Sequence, residues 1–381
     1  MGKRTKLGIY FSYNENWIGG TYYITNIIEA LKTIQDNDLP KIYFISENLK
    51  DLEVIKQLNY PYAKYLIIGG NQKKEFLRKT LNKITANRFK LSTNSKIVSL
   101  DLIFPYLPNQ FLSKIKNRLS WIPDLQEKHL PEFFSTEELG GRDRECKRIA
   151  NHEKNVLFSS QDAFNDFTKF YPDATAHKHI LNFAVTHPKY DHINIGYLKA
   201  KYHLKDKYFF SPNQFWKHKN QIVILKAVKL LKENGQLNFQ TAFSGKEHDY
   251  RNPEYFESLK KYVAENDLAD YVKFLGFIDR EDQLQLMNNA EAIIQPSLFE
   301  GWSTVVEDAK AMNQCIIASS LNVHGEQLGN DAYFFDPTDP EALSEIMLKI
   351  MNEEKVKYQK NYKENIQKFG QDFINIINKI I

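Results

Sequence analysis

The segment Ile294-Gln-Pro-Ser-Leu-Phe-Glu-Gly-Trp-Ser-Thr-Val-Val-Glu-Asp-Ala-Lys310 carries the side chains best placed to do chemistry. It reads as a short apolar strand, a tight turn and a helix. Gly301 lets the backbone bend without a side-chain clash. Thr304 and Glu307 have the spacing of a capping box, which predicts a helix starting near Thr304 with Glu307 on a surface helix as the cap partner. The free N–H groups of a first helical turn, with the helix dipole behind them, form an anion seat. Glu300 stands just outside that seat, and Asp308 one turn into the helix. The segment therefore offers places for a diphosphate and for hydroxyl groups on either side of it. Glu300, between Phe299 and Gly301, has no capping or helix-pairing task to explain it.

Glu300-Gly301-Trp302-Ser303-Thr304-Val305-Val306-Glu307-Asp308 resembles the glutamate-x7-glutamate segment of retaining family-4 glycosyltransferases. These have the GT-B fold, two Rossmann-like domains with parallel sheets facing across a cleft. The resemblance implies that Glu300 touches the donor sugar and that Asp308, a shorter carboxylate in the second position, meets the ribose hydroxyls. It also implies that Gly301, Trp302, Ser303, Thr304 and Val305 line the donor site.

Other segments extend the resemblance. Gly19-Gly20-Thr21 follows the first strand, where glycines admit a bound group close to the backbone and Thr21 could cap a helix; it is similar to the family's glycine-rich loop near the donor phosphates. Ser211-Pro-Asn-Gln-Phe-Trp-Lys-His-Lys-Asn220 gathers Lys217, His218 and Lys219 after a strand. A fixed cation there would oppose the charge growing on a leaving diphosphate. The family carries Arg and Lys six apart in this loop; here Asn213 takes the Arg position and Lys219 the Lys position, and Asn supplies dipoles only. Phe274-Leu-Gly-Phe-Ile278 is similar to the nucleobase loop, which assigns Gly276 and Phe277 to the nucleotide. In Trp121-Ile-Pro-Asp-Leu-Gln-Glu-Lys-His129 the family's His-Asp pair becomes Pro123-Asp124, with His129 five residues on. Asp124 matches the pair and is expected to matter more than His129. Ser319-Ser-Leu-Asn-Val-His-Gly-Glu-Gln327 resembles a later donor loop, with no role assigned to His324 or Glu326.

The elements that must position these residues fit the same frame. A chain of 381 residues has the length of about two domains. Its 42% hydrophobic and 26% charged residues are those of a globular protein. A net charge of +4 gives no reason to invoke nucleic acid. Cys146 and Cys315 form neither a metal motif nor a disulfide framework. Asp36-Asn37-Asp38, which spells a metal-binding triplet of another glycosyltransferase fold, reads as a turn before Pro40. No metal and no cofactor are expected. Apolar runs predict strands at 7–13, 41–46, 65–68, 97–100, 119–122 and 155–159, then at 208–212, 239–243, 272–275, 292–295, 315–319 and 332–335. Helical patterns between most of them predict parallel sheets covered on both faces. We divide the chain into an acceptor-side domain, 1–190, and a nucleotide-sugar domain, 191–364. The resemblance implies that a last helix, about 365–381, returns to the first domain.

The expected activity is transfer from a nucleoside-diphosphate sugar to a hydroxyl of a glycan or lipid-linked glycan, with retention, in cell-surface polysaccharide synthesis. A nucleotide-sugar epimerase of the same fold and a non-catalytic sugar-nucleotide-binding subunit remain alternatives. The N-terminal apolar run is too short for a signal peptide or a membrane span, which predicts a cytoplasmic protein. In 71–90, Leu77, Leu81 and Ile84 share a helical face ringed by Lys73, Lys74, Arg78, Lys79 and Lys83. That pattern suits peripheral docking on the anionic inner face of a membrane, or equally a solvated domain helix.

Overall fold

The structure is a computed structural model that describes residues 4–14, 18–68, 99–353 and 355–381. The region 71–90, read as a membrane-facing helix, lies outside the described residues. The strands are β1 (Lys6–Tyr10), β2 (Lys41–Ser46), β3 (Ala63–Ile67), β4 (Leu102–Phe104), β5 (Ser120–Ile122), β6 (Asn155–Phe158), β7 (His177–Ile180), β8 (Tyr208–Ser211), β9 (Gln240–Phe243), β10 (Val272–Phe274), β11 (Ile293–Gln295), β12 (Ile316–Ser319) and β13 (Tyr333–Phe335). The helices are α1 (Ile18–Leu31), α2 (Leu49–Lys56), α3 (Gln126–His129), α4 (Thr136–His152), α5 (Gln161–Phe170), α6 (Ile195–Lys201), α7 (Gln221–Glu233), α8 (Tyr255–Glu265), α9 (Arg280–Asn289), α10 (Thr304–Ala311), α11 (Asn322–Leu328), α12 (Pro340–Asn352) and α13 (Tyr362–Ile380).

The chain forms two compact units, each assembled from separated stretches. One comprises Met1–Pro123, Asp143–Thr186 and Lys363–Ile381; the other comprises Asp124–Arg142 and His187–Tyr362. The stretch 124–142, which the sequence reading placed with the first 190 residues, clusters with the second unit.

In the first unit, a parallel sheet of order β3-β2-β1-β4 and a parallel sheet of order β5-β6-β7 are joined by a bridge between Ile103 and Arg118. The strand expected at 97–100 falls partly outside the described residues; the strand described next is Leu102–Phe104, where all three residues are buried and Leu102 pairs with Leu7. Asp101 meets β1 at two points: its Oδ2 accepts from the Lys6 N–H at 2.7 Å, and its own N–H donates to the Lys6 carbonyl at 2.9 Å. β7, His-Lys-His-Ile, was not foreseen, because it has no apolar pattern and pairs only with β6. Helix α13 packs on this unit. A Cβ on Gly370 would lie 2.6 Å from the Ala30 carbonyl oxygen, so only glycine permits this approach to α1. Phe373 meets Phe104 and Phe369 meets Tyr23, whose ring also stacks on Trp121. Asp36–Asp38 is a single 3₁₀ turn, its Asp36 carboxylate held by Arg4 and Tyr62, each at 2.6 Å.

The second unit has six parallel strands in the order β10-β9-β8-β11-β12-β13. Counted within the unit this is 3-2-1-4-5-6, the order of the dinucleotide-binding sheet. Its central strand, Tyr-Phe-Phe-Ser, is buried along its whole length, as expected where helices cover both faces. Successive side chains of a strand point to opposite faces. Accordingly Phe209 joins the core under α7, α8 and α12, while Phe210 joins the core under α6, α9, α10 and α11. Strand order reverses between β8 and β11, and in such sheets ligands bind beyond the carboxyl ends of the strands at that reversal. Ser211 and Gln295 are the last residues of these two strands.

Candidate active site

β11 ends at Gln295, and five residues later Glu300 turns back beneath it. Three donors converge on one carboxylate oxygen, Oε1: Lys219 Nζ, Gln295 Nε2 and Ser297 Oγ, each at 2.6 Å. Among the described residues Oε2 has no hydrogen-bond partner. Glu300 is only 9% exposed. Burial alone would raise its pKa, but the Lys219 ammonium, with its neighbours, prevails and brings it down to about 2. Glu300 is therefore an anion at neutral pH, with one oxygen fully committed.

Helix α10 starts at Thr304, but its cap is Ser303, whose hydroxyl accepts from the Val306 N–H at 3.3 Å. The capping box read from Thr304 and Glu307 does not form. Glu307 is 1% exposed, not on a surface helix. Its Oε1 accepts from Lys310 Nζ at 2.8 Å and Gln327 Nε2 at 3.0 Å, and its Oε2 from Tyr362 Oη at 2.6 Å. A hydroxyl one residue earlier competes better for the helix start, and buried donors claim the glutamate. The Ser303 N–H donates to Gln327 Oε1 at 3.0 Å and the Glu307 N–H to the Ser303 carbonyl at 3.1 Å. Among the described residues, the N–H groups of Thr304 and Val305 are left without a partner. They are adjacent and stand at the positive end of an eight-residue helix.

Asp308, one turn further, is 1% exposed. Its Oδ1 accepts from His187 Nε2 at 2.9 Å and from an Arg280 guanidinium nitrogen at 2.5 Å. Burial pushes its pKa up, yet Arg280 and His187 together hold it below the usual carboxylate value. Neither partner was named from the sequence; they lie 28 and 121 residues away.

The basic loop after β8 reaches the same place. The Leu298 N–H donates to the His218 carbonyl at 2.8 Å, tying this loop to the strand end that bears Glu300. One of the three N–H donors of Lys219 is spent on Glu300. Lys217 is exposed, its ammonium 5.3 Å from the centre of the Phe133 ring. His218 is held neutral: loss of water and the adjacent Lys219 bring its pKa to about 3. Asn213 is buried, with its amide on Ser211 Oγ at 3.3 Å. A Cβ on Gly245 would fall 2.3 Å from the Asn213 carbonyl oxygen, so that loop crossing requires glycine. The Gly245 N–H in turn donates to the Gly276 carbonyl at 2.9 Å. Gly276 has φ +69°, and Phe277 beside it is 80% exposed.

His324, given no role from the sequence, is fully buried close to this group. Its Nδ1 lies 2.8 Å from the Ser319 carbonyl oxygen, which only accepts, so the proton sits on Nδ1. Burial lowers its pKa, and the imidazole is neutral.

Asp124 and His129 belong to the same unit as Glu300. Asp124 Oδ1 accepts from the Gln126 N–H at 3.1 Å and lies 3.5 Å from an Arg142 nitrogen, while Arg142 bonds Glu127 at 2.6 Å. The exposed His129 ring sits 5.3 Å from the ring of Phe299, next to Glu300 in sequence. Gly19 and Gly20 are in the first unit and fall inside α1, not in the loop before it. As first-turn residues they still present N–H groups with no intrahelical partner. Among the described residues no group of three His, Cys, Asp or Glu could hold a metal, and no helix is long and apolar enough to cross a membrane. Cys146 and Cys315 are buried free thiols.

Two Rossmann-like units, one with charged and N–H groups gathered at its strand reversal, define the architecture known as GT-B. The known proteins agree. Residues 198–369 match the family of glycosyl transferases group 1, which supports a group 1 glycosyltransferase of the GT-B fold. It is 28% identical over 138 residues to the O-antigen chain mannosyltransferase RfbU of Salmonella typhimurium, a match covering 36% of each chain. It is 25% identical over 174 residues to the serotype-specific mannosyltransferase WbdA of Escherichia coli, covering 45% of this chain and 21% of that one. The chain thus spans well under half the length of the curated relatives it matches. Over nearly its whole length it shares the fold of Anabaena Alr3699/HepE, solved in complex with UDP and glucose, with a TM-score of 0.66, 16% identity and coverage of 99% and 98%. A glycosyltransferase from Rickettsia africae is similar at a TM-score of 0.67 and 15% identity, with coverage of 100% and 99%.

Proposed function

We propose that this chain transfers a hexosyl group from a nucleoside-diphosphate sugar to a hydroxyl of a glycan or lipid-linked glycan, retaining the anomeric configuration. The likeness to the mannosyltransferases RfbU and WbdA favours a mannosyl group and an O-antigen-type polysaccharide as its context. The carrying observation is Glu300: a buried, ionised carboxylate with Oε1 saturated, set at the strand reversal beside the free N–H groups of Thr304 and Val305. In this reading Oε2 orients the donor sugar, and its charge steadies the positive character that grows on the ring. The paired N–H groups and the remaining Lys219 donors receive the diphosphate as it leaves. Asp308, with Oδ1 held by Arg280 and His187, offers Oδ2 to the ribose. Gly276 and Phe277 flank the base, Asn213 and Lys217 border the phosphates, and His129 stands on the sugar side of Phe299. The leaving phosphate takes the acceptor proton, so the reaction as proposed requires no metal and no cofactor.

The test is a panel of nucleoside-diphosphate sugars offered with and without a lipid-linked glycan acceptor, the product analysed by NMR for its anomeric configuration. Transfer with retention is expected. An inverted product would remove the retaining mechanism. Donor conversion without acceptor would point to an epimerase, and binding without conversion to a non-catalytic subunit.

A further inference from the structure

Behind the Ser303 turn lies a buried polar network that the contacts proposed above do not use. Gln327, on α11, is 5% exposed. Its Oε1 accepts from the Ser303 N–H at 3.0 Å, and its Nε2 donates to the Ser303 carbonyl at 3.1 Å and to Glu307 Oε1 at 3.0 Å. One side-chain amide thus grips both main-chain groups of a single residue, the cap of α10. Both Glu307 carboxylate oxygens accept hydrogen bonds here, so Oε1 draws the amide nitrogen and not the oxygen toward itself. That choice fixes which end of Gln327 faces the Ser303 N–H. Lys310 and Tyr362 hold Glu307 from its other sides.

The consequence concerns the next two residues. With the Ser303 N–H turned inward and its carbonyl shared by Gln327 and the Glu307 N–H, the chain direction entering α10 is set. The Thr304 and Val305 N–H groups then remain as a fixed pair. Donors held in place before an anion arrives bind it better than donors that must first be ordered. We propose that Gln327 is a positioning residue for the diphosphate: through Ser303 it aims the Thr304 and Val305 N–H groups, and Glu307 sets the orientation of its amide. This rests on the reading of the α10 start as the diphosphate seat.

The experiment uses the full chain and titrates UDP, GDP, uridine, guanosine and inorganic pyrophosphate into wild type, Gln327→Met and Gln327→Glu by calorimetry, with thermal melts as the fold check. Gln327→Met keeps the shape and removes every polar contact. It is expected to weaken the nucleoside diphosphate that wild type binds by about tenfold or more, while the matching nucleoside changes by less than about twofold. Gln327→Glu keeps an acceptor for Ser303 but faces the Glu307 carboxylate, with Lys310 and Tyr362 the other titratable groups around that carboxylate. As pH falls from about 8 to about 5.5 the introduced carboxyl takes up a proton and can donate to Glu307. Its diphosphate affinity relative to wild type is expected to rise over that range, a signature that a packing role would not give. Equal losses for nucleoside and diphosphate, unchanged diphosphate binding in Gln327→Met, or a pH-independent ratio in Gln327→Glu would each overturn the proposal. If Gln327→Met does not fold, the Gln327→Glu ratio decides. If wild type binds no nucleoside diphosphate, the reading of the seat itself fails, and the clamp with it.

Discussion

Glu300 and Asp308 sit eight residues apart, both buried, both ionised, both with a single oxygen engaged, yet their surroundings are of different kinds. Glu300 is held by one cation, Lys219, and two neutral donors, Gln295 and Ser297, from its own strand end. Asp308 is held by Arg280 and His187, from an adjacent helix and from the beginning of the second unit's main stretch. Each carboxylate thus meets one cation and keeps one oxygen open; what differs is that the neutral donors on Glu300 come from its own strand end, whereas both partners of Asp308 come from distant parts of the unit. In the reading proposed above, Glu300 serves the reacting sugar and Asp308 the nucleotide, and the two carboxylates can be tested against each other.

The most severe way to break the comparison is Glu300→Gln. The change removes the charge and leaves Lys219 facing an amide. We expect turnover to fall on the order of a hundredfold or more, ~3 kcal/mol of barrier. Steady-state kinetics beside a thermal melt separate this from unfolding. Activity within a few-fold of wild type would show that Glu300 only braces Lys219. The same variant tests the acid limb of stability. The folded pKa of Glu300 is lowered from 4.5 to about 2, so its contribution is complete above 4.5 and disappears as pH falls toward 2. Wild type should lose more stability across that window than Glu300→Gln, as read by urea melts at each pH.

Asp308→Asn should act differently. It removes the charge that faces the partly exposed Arg280, and we expect ~2 kcal/mol of lost stability, below the range for a fully buried pair because Arg280 is partly solvated. Nucleoside affinity should fall about tenfold, with turnover on bound donor less affected. If kcat falls as far as in Glu300→Gln at unchanged stability, the division between the two carboxylates is wrong.

Lys219→Ala sharpens the contrast from the cation's side. Nucleoside-diphosphate affinity should fall by about tenfold and nucleoside affinity much less, because the role proposed for the ammonium is at the phosphates and not at the base. Calorimetry with both ligands checks this. Equal losses would mean that the loop, and not the charge, had been removed.

What the sequence could carry follows the same divide. The Glu300 turn was legible because strand, glycine and helix start are local signals, whereas its donors Gln295 and Ser297, though within five residues of it, were not named from the sequence. The strands of the second unit were legible because their apolar runs are continuous. The Asp308 bracing was not, since no local pattern links Asp308 to His187. The cap was assigned one residue late because Ser303 and Thr304 are both good caps, and the choice between them depends on Gln327, which folds in from α11. The attachment of 124–142 to the second unit rests on side-chain contacts such as Arg251 with Glu138 at 2.9 Å and over the Phe134 ring at 4.0 Å, which no periodicity announces.

That attached stretch supplies the smallest predicted effect. The sequence, by matching Asp124 to a family acid, ranks Asp124 above His129. The contacts argue for the opposite order. Asp124 has local work: it accepts from the Gln126 N–H at the start of α3 and lies beside Arg142. Such a carboxylate stabilises its own turn, and Asp124→Asn keeps the oxygen that accepts from Gln126. His129 is exposed and lies against Phe299, whose neighbour is Glu300. An imidazole there can give or take a hydrogen bond from a donor-sugar hydroxyl. We therefore expect His129→Ala to lower kcat by about tenfold, ~1.4 kcal/mol of barrier, with nucleoside-diphosphate affinity unchanged. Asp124→Asn should stay within about threefold of wild type, ~0.7 kcal/mol or less. Kinetics on both variants, with diphosphate titrations beside them, rank the two. A silent His129→Ala with an inactive, folded Asp124→Asn would return the sugar contact to Asp124, and would mean that the pairing with Arg142 gives way when the donor binds.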